Sequence, residues 1–366
     1  IIPLSSRTDG LAYPLGASGI PSLLFLRPYY GFQYGQFSEL AAAGKKADIL
    51  ATSEYDDLDV YARVFQAIHH LRRSKVLQVD PGTYYARFAQ QFTEQFGTEI
   101  KPTPYGALED AARAIDARTI DEQTERYVKG ALRIVEPSRE EIRASVRLYL
   151  GVKELLKKER ANAITVDCLG GFQRGDLKAY PCVAWSRLND EGLYGVCQGD
   201  LQCTFTQILL TAFSGKPGFV FNPVFDTSRS EVICAHCVAP TSPLGVNGSG
   251  LPYILRSHME DNKGVAVQVL MPVGGEVTIG KFLDAKTFRI SAGEALGNVD
   301  SPCGCRTQVR VRVADARKMA LGFTDRGIHR VLYYGNYAEA LERMGRLMGF
   351  KPVSYTHLRA HETVLD

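Results

Sequence analysis

The sequence is short of the features that would fix its class at a glance. No stretch approaches the ~20 unbroken apolar residues that a membrane-spanning helix needs, so no membrane partner is expected. Neither sign of charge is in surplus. The chain has 43 basic and 40 acidic residues, a formal net charge of +3, which excludes the strongly basic balance of a general nucleic-acid binder. Eight cysteines in 366 residues are too few for a disulfide framework and point to a reducing, cytoplasmic compartment. No G-x-G-x-x-G motif opens a helix, which argues against a dinucleotide site. Internal repeats and low-complexity linkers are lacking as well.

What is present is an ordinary globular composition, 45% apolar and 23% charged, in a chain long enough for two or three domains with real cores. The ends are treated apart. The chain begins "IIPLSS", without an initiator Met or signal peptide, as expected of a truncated reading frame. Its last stretch, "VSYTHLRAHETVLD" from Val353, reads as adapter DNA translated in frame. The zinc-helix spacing of His357, His361 and Glu362 within it is therefore set aside.

Between the ends, "SLLFL" (22–26), "ADILAT" (47–52) and "KVLQVD" (75–80) read as buried strands. Leu58, Ala62, Phe65, Ile68 and Leu71 recur at helical spacing between the last two, the pattern of a parallel, doubly wound sheet. From Leu108 to Arg160 the chain is helix-rich and charged, with Ser138 and Glu141 spaced as a capping box. A second α/β block follows: "AITVDCLGG" (163–171) as a strand ending in a glycine turn, "PCVAWSRL" (181–188) as another strand, and "YGVCQGD" leading into a helix from Leu201 that Gly215 ends. By this reading Asp167, Gln198 and Asp200 lie at carboxyl ends of strands, where open α/β sheets gather ligands. After Pro240 apolar and polar residues alternate between Gly and Pro turns, the mark of an antiparallel barrel or sandwich. The domains expected are 1–160, 161–240 and a β-rich 241–352, with 353–366 foreign.

Several constellations could carry chemistry, each with a plainer explanation beside it. Asp200 precedes a helix and is a natural N-cap; the cap alone does not account for Gln198 or for the position at a strand end. Cys234, His236, Cys237, Cys303 and Cys305 have the ligand types for tetrahedral zinc, but not the paired C-x-x-C spacing, and buried cysteine is a common small hydrophobe. Arg256, His258 and Glu260 share one face if their segment is extended, which suits a polyol and equally an ordinary solvated face. His329 stands alone at the start of an apolar strand.

Taken together, "VDCLGG", "PCVAWSRLNDEGLYGVCQGD", "TAFSGKPGFVFNPV", "AHCVAPTSPLG", "LRSHMEDNKGVAVQV", "CRTQV" and "HRVLYYGN" occur in an order that resembles the L-fucose isomerase-like proteins, related to the L-fucose and L-arabinose isomerases. The likeness is dense from about 161 to 351. It implies two Rossmann-like doubly wound domains followed by a β-rich, barrel-like C-terminal domain, in a homo-oligomer. It also implies a Mn²⁺- or Mg²⁺-dependent aldose–ketose isomerase acting on a small sugar, in which carboxylates hold the metal and move a proton through an ene-diol. The family's C-E-x-D block appears here as Cys197, Gln198, Gly199 and Asp200. The aspartate is kept, and Gln198 replaces the glutamate. The family's upstream acid falls near Arg174, with Asp176 two residues on and Asp167 on the preceding strand. The resemblance thus assigns Asp200 and Asp176 as catalytic, Asp200, Asp176 and His329 as metal ligands, and Gln198, Arg256, His258 and Glu260 as sugar-binding. Gln198 also leaves a second reading, a catalytically degenerate sugar-binding protein on the same scaffold.

Overall fold

The structure, a computed structural model, describes residues 16–28, 34–80, 82–323 and 327–355. The residues "IIPLSS" and the histidine pair of the closing stretch lie outside them.

The chain starts with two parallel strands, β1 (Ser22–Leu26) and β2 (Ala47–Ala51), with α1 (Tyr34–Ala42) between them. Next comes α2 (Asp57–Arg73), as its apolar periodicity predicts. The buried face is Tyr61, Val64, Ala67 and Leu71, turned slightly from the expected stripe. Ala62 is exposed, and Leu58, Phe65 and Ile68 sit at its edge.

A second parallel sheet holds β3 (Lys75–Val79), β4 (Glu99–Thr103), β6 (Ala163–Val166) and β7 (Tyr194–Cys197), in the order β4-β3-β6-β7. Helix α3 (Gly82–Phe96) joins β3 to β4. Helices α4 (Tyr105–Arg113), α5 (Ala117–Gly130) and α6 (Arg139–Glu159), with the short β5 (Arg133–Ile134), lie between β4 and β6. The expected capping box opens α6: the Glu141 N–H donates to Ser138 Oγ at 3.2 Å, and the Ser138 N–H to Glu141 Oε2 at 2.8 Å. Because β3 and β6 pair directly, the expected boundary at residue 160 falls inside a sheet.

Two local expectations are corrected. "PCVAWSRL" is helix α8 (Cys182–Asp190), not a strand. It is buried on nearly every side, and a short run of apolar residues carries no period that separates strand from helix. Pro181 at its start favours the helix. Gly195 of β7 lets it approach: a Cβ there would come within 2.4 Å of the Trp185 ring. The glycines of "VDCLGG" likewise do not make a turn. Asp167 caps α7 (Cys168–Arg174), which contains both of them.

After α9 (Leu201–Ser214) the chain builds a closed barrel. Its strands are β8 (Phe219–Asp226), β9 (Glu231–His236), β12 (Glu276–Asp284), β13 (Thr287–Asn298), β14 (Thr307–Val313) and β15 (Arg330–Tyr334). They run β12-β15-β8-β9-β14-β13, and β13 pairs back onto β12. All six pairings are antiparallel. The barrel begins at Phe219, so the boundary expected at 240 also falls too late. Outside it, β10 (Tyr253–Arg256) and β11 (Ala266–Val269) join β5 in a small sheet. Helices α10 (Ala316–Leu321) and α11 (Ala338–Met348) precede β16 (Lys351–Ser354), which lies parallel on β13. Val353 and Ser354 of the closing stretch thus join a strand, which needs only main-chain groups.

Alternation puts every second barrel residue inward. Val277 and Ile279 of β12, Val232 and Cys234 of β9, and Leu332 and Tyr334 of β15 meet in one apolar core. Helix α9 is the wedge between barrel and parallel sheet. Phe205 stacks on Phe92 of α3 at 4.3 Å, Thr206 Oγ1 accepts the Phe282 N–H at 3.0 Å, and Gln202 donates to the Leu283 carbonyl. Phe205→Ala removes a fully buried ring from this seam. It is expected to lower the unfolding free energy by about 3–5 kcal/mol, read from urea denaturation.

Candidate functional site

The first of the site's elements is the turn between β7 and α9. Gln198 and Gly199 both take left-handed backbone, φ 57° and 69°. This is natural for glycine and costs a non-glycine residue about 1 kcal/mol. The turn is tied to the neighbouring strand by the Gly199 N–H, which donates to the Val166 carbonyl at 3.0 Å. It delivers Asp200, fully buried, to the head of α9.

Both oxygens of Asp200 are engaged. Oδ1 accepts the Cys203 N–H at 2.9 Å, the expected helix cap. Oδ2 receives Lys281 Nζ at 2.7 Å and His329 Nδ1 at 3.2 Å. Lys281 continues the inward row of Val277 and Ile279 in the second half of β12. His329 immediately precedes β15. Both are fully buried.

The proton positions follow from one donor whose role is fixed. The Cys237 backbone N–H donates to His236 Nδ1 at 2.8 Å, so a neutral His236 carries its proton on Nε2. That proton faces His329 Nε2 at 3.3 Å. His329 is thereby assigned its proton on Nδ1, pointing at Asp200. The result is an unbroken chain from the Cys237 amide through two imidazoles to a carboxylate.

Charges agree with this chain. Burial pushes the Asp200 carboxyl up, but the Lys281 ammonium and the His329 N–H outweigh it and hold the group well below the usual carboxylate range. Burial pushes His236 well down, with His329 and His258 adding to the effect. It pushes His329 down too, against the pull of Asp200. Neutral imidazoles between an ionised carboxylate and a backbone amide are fixed in tautomer and orientation by these hydrogen bonds.

The structure brings together two of the three expected metal ligands, Asp200 and His329, and not the third. Asp176 lies exposed on the loop after α7, paired with Arg174 at 2.9 Å. Arg174 also binds Asp80 at 2.7 Å and stands 3.6 Å from Asp167. As arranged, the residues do not fit Mn²⁺ or Mg²⁺. An ammonium already sits on Asp200 Oδ2, His329 uses both ring nitrogens, and Gln198 offers an amide where a hard divalent ion favours carboxylate. No group of three His, Cys, Asp or Glu side chains among the described residues is placed to hold a metal ion.

The expected sugar-binding residues are dispersed in role. Arg256 is clamped to Glu136 at 2.7 Å and to Gln268 at 2.9 Å. The chain does not stay extended after it: the His258 N–H donates to the Lys263 carbonyl and the Asn262 N–H to the His258 carbonyl, each at 2.9 Å. Asn262 and Gly264, both at positive φ, supply this turn, so His258 and Glu260 do not share a strand face. Glu260 is exposed, and His258 is buried and stacked on Tyr180 at 4.2 Å. Tyr180 stacks in turn on Phe172 at 4.0 Å. Gln198 is half-buried.

The cysteine–histidine set is not gathered either. Cys237 and Cys305 touch, but Cys303 is exposed, Cys234 lies in the barrel core and His236 faces His329. Two wide clefts, about 790 and 920 Å³, lie elsewhere; one is lined by Ala111, Ile115 and Lys158, the other by Gln91, Gln95 and Lys286. Neither borders Asp200.

Sequence reasoning missed Lys281, and it weighed His236 only for zinc. A signal existed: each is a polar residue at the end of an otherwise apolar inward row, 277-279-281 and 232-234-236. No family model matches the chain, and no curated protein matches it. No helix among the described residues is long and apolar enough to cross a membrane.

The lowered histidines set a pH dependence. A histidine kept neutral by folding binds fewer protons than in the unfolded chain, where its pKa is about 6.5. Stability is therefore expected to fall as pH drops below about 6.5, at up to about 1.4 kcal/mol per pH unit for each such group. His236→Gln should flatten the slope of urea-derived stability between pH 7 and 5; an unchanged slope means that His236 is not held neutral.

Proposed function

We propose that the chain binds a small sugar on the scaffold of the L-fucose isomerase-like proteins without a resident divalent metal. The observation that carries this reading is the buried Lys281–Asp200 pair, 2.7 Å long, which puts a fixed ammonium on the carboxylate oxygen that the metal would need. Gln198 and the Arg174-bound Asp176 point the same way, since each takes a carboxylate away from the expected ligand set.

The sugar side rests on the ordered family blocks and on the Phe172–Tyr180–His258 stack. Tyr180 and His258 are buried, so the half-buried Phe172 at the end of the stack is the aromatic surface offered to the C–H face of a pyranose. Glu260 and Asp261, the latter accepting the Tyr180 hydroxyl at 2.9 Å, are the exposed polar groups next to the stack. Two Rossmann-like domains, a homo-oligomer and a cytoplasmic location accompany this reading through the same resemblance.

A second reading is the metal-dependent aldose–ketose isomerase. The 3.2 Å contact between Asp200 and His329 favours it, because these are two of the three expected ligands.

Calorimetric titration of Mn²⁺ into the full chain and Asp200→Asn, followed by a panel of aldoses with and without Mn²⁺, separates the two. The expected result is no saturable Mn²⁺ binding by either protein, with binding of an aldose and no ketose formed. Mn²⁺ binding that Asp200→Asn loses, together with Mn²⁺-dependent ketose, overturns the proposal in favour of the isomerase. If no aldose binds, the sugar reading fails as a whole.

A further inference from the structure

We infer that the mouth of the barrel beside Asp200 is an oxyanion site, built by Arg289 and Arg330 with Lys281 between them, for the phosphate or carboxylate of an acidic small molecule. The site stands on these residues alone; that the rest of the ligand is a sugar rests on the function proposed above.

The strand register creates the cluster. Lys281 on β12 lies directly opposite Arg289 on β13, and directly paired residues of antiparallel strands point to one face. On its other side, the ladder between β12 and β15 runs to Gly280 opposite Val331, so the next step sets Arg330 beside Lys281. Three cations therefore stand in a row across three adjacent strands. All three point inward, since Arg289, Lys281 and Arg330 share the alternation of Ala295, Ile279 and Leu332 in the barrel core.

All three side chains are more than nine-tenths buried: Arg289 is 7% exposed, Arg330 2% and Lys281 0%. Lys281 faces Asp200, but neither arginine forms an ion pair with a described residue. Arg330 Nη1 donates to the carbonyls of His329 at 2.7 Å and Gly327 at 3.0 Å, and its Nε to the Tyr355 hydroxyl at 3.1 Å. Its Nη2 has no partner, and neither do Nε and Nη1 of Arg289. Buried guanidinium donors without an acceptor are rare in folded proteins, because they forfeit their hydration with nothing in exchange. A tetrahedral or planar oxyanion answers both needs at once. It supplies acceptor oxygens that two forks can share, and negative charge where cations otherwise repel.

An oxygen already occupies part of this place. The Tyr355 ring lies against the Arg289 guanidinium at 5.0 Å while its hydroxyl accepts from Arg330. Tyr355 belongs to the stretch that reads as adapter-derived, so the phenol is an occupant that an anion would displace.

The test is calorimetry on the full chain in phosphate-free buffer, with inorganic phosphate, a hexose phosphate, a hexuronate and a neutral aldohexose as separate probes. The expected result is saturable binding of inorganic phosphate, weakened about tenfold or more in Arg289→Gln and partly restored in Arg289→Lys. Tyr355→Ala should bind phosphate at least as tightly as wild type. Comparison of the hexose phosphate with the hexuronate tells which oxyanion the site prefers. No phosphate binding by wild type overturns the inference and leaves the orphaned donors to buried water. Equal binding by wild type and Arg289→Gln, with the fold intact by circular dichroism, overturns it as an adventitious ion. Arg330→Gln is the second variant; if it does not fold, the Arg289 pair decides alone. The neutral aldohexose separates the two proposals: its failure to bind strikes the sugar reading and leaves the phosphate result standing.

Discussion

The carboxylate of Asp200 and the ammonium of Lys281 meet where the parallel sheet hands the chain to the barrel, and the geometry around them follows from keeping that contact. At 2.7 Å and an effective dielectric of about 20, their attraction is on the order of 6 kcal/mol. Removing both ions from water costs several kcal/mol each. The two terms roughly cancel, so the pair adds little to net stability. Losing one partner is another matter, because it strands a buried charge at about 3–5 kcal/mol. The contact therefore acts as a registration device. It is satisfied only when the head of α9, the inward row of β12 and the residue before β15 arrive together.

This explains which parts were legible in the sequence. Helix α2 announced itself through apolar spacing, and Ser138, Asp200 and Gly215 marked ends of α6 and α9 that are local in the chain. Strands β1, β2, β3 and β6, and the alternation of the barrel strands that follow Pro240, were legible from their own apolar patterns. Helix α8 was not, because a run buried on all sides has no polar face to give it a period. The domain boundaries were misplaced because pairing between β3 and β6 is a long-range choice that no window of sequence contains. At the site, the meeting of Asp200 with His329 was expected from family resemblance. Lys281 was not, since its meaning depends on a register that brings it opposite Arg289.

The network also constrains what chemistry the centre can support. An ionised carboxylate held by an ammonium is a poor base, because accepting a proton means giving up its strongest partner. The imidazole nearer the amide, His236, is kept neutral by burial and offers no open lone pair, since Nδ1 is taken by the Cys237 amide. The centre thus resembles a fixed electrostatic post more than a reactive site. Any reactive or binding groups would have to come from outside this network.

The pairing of β3 with both β4 and β6 has a consequence for how the chain is made. During synthesis β3 and β4 emerge with α3 between them, but their sheet stays open on one side until α4, α5 and α6 have passed and β6 follows. Strand β5 waits longer still, since its partner β10 comes after two barrel strands. Gln95 of α3 reaches the carbonyl of Met348, near the far end of the described chain, at 2.7 Å. An unpaired strand edge held open on the ribosome is a template for pairing with other chains. The nascent first half therefore presents such an edge during synthesis, and a protein cut near residue 160 would carry it permanently.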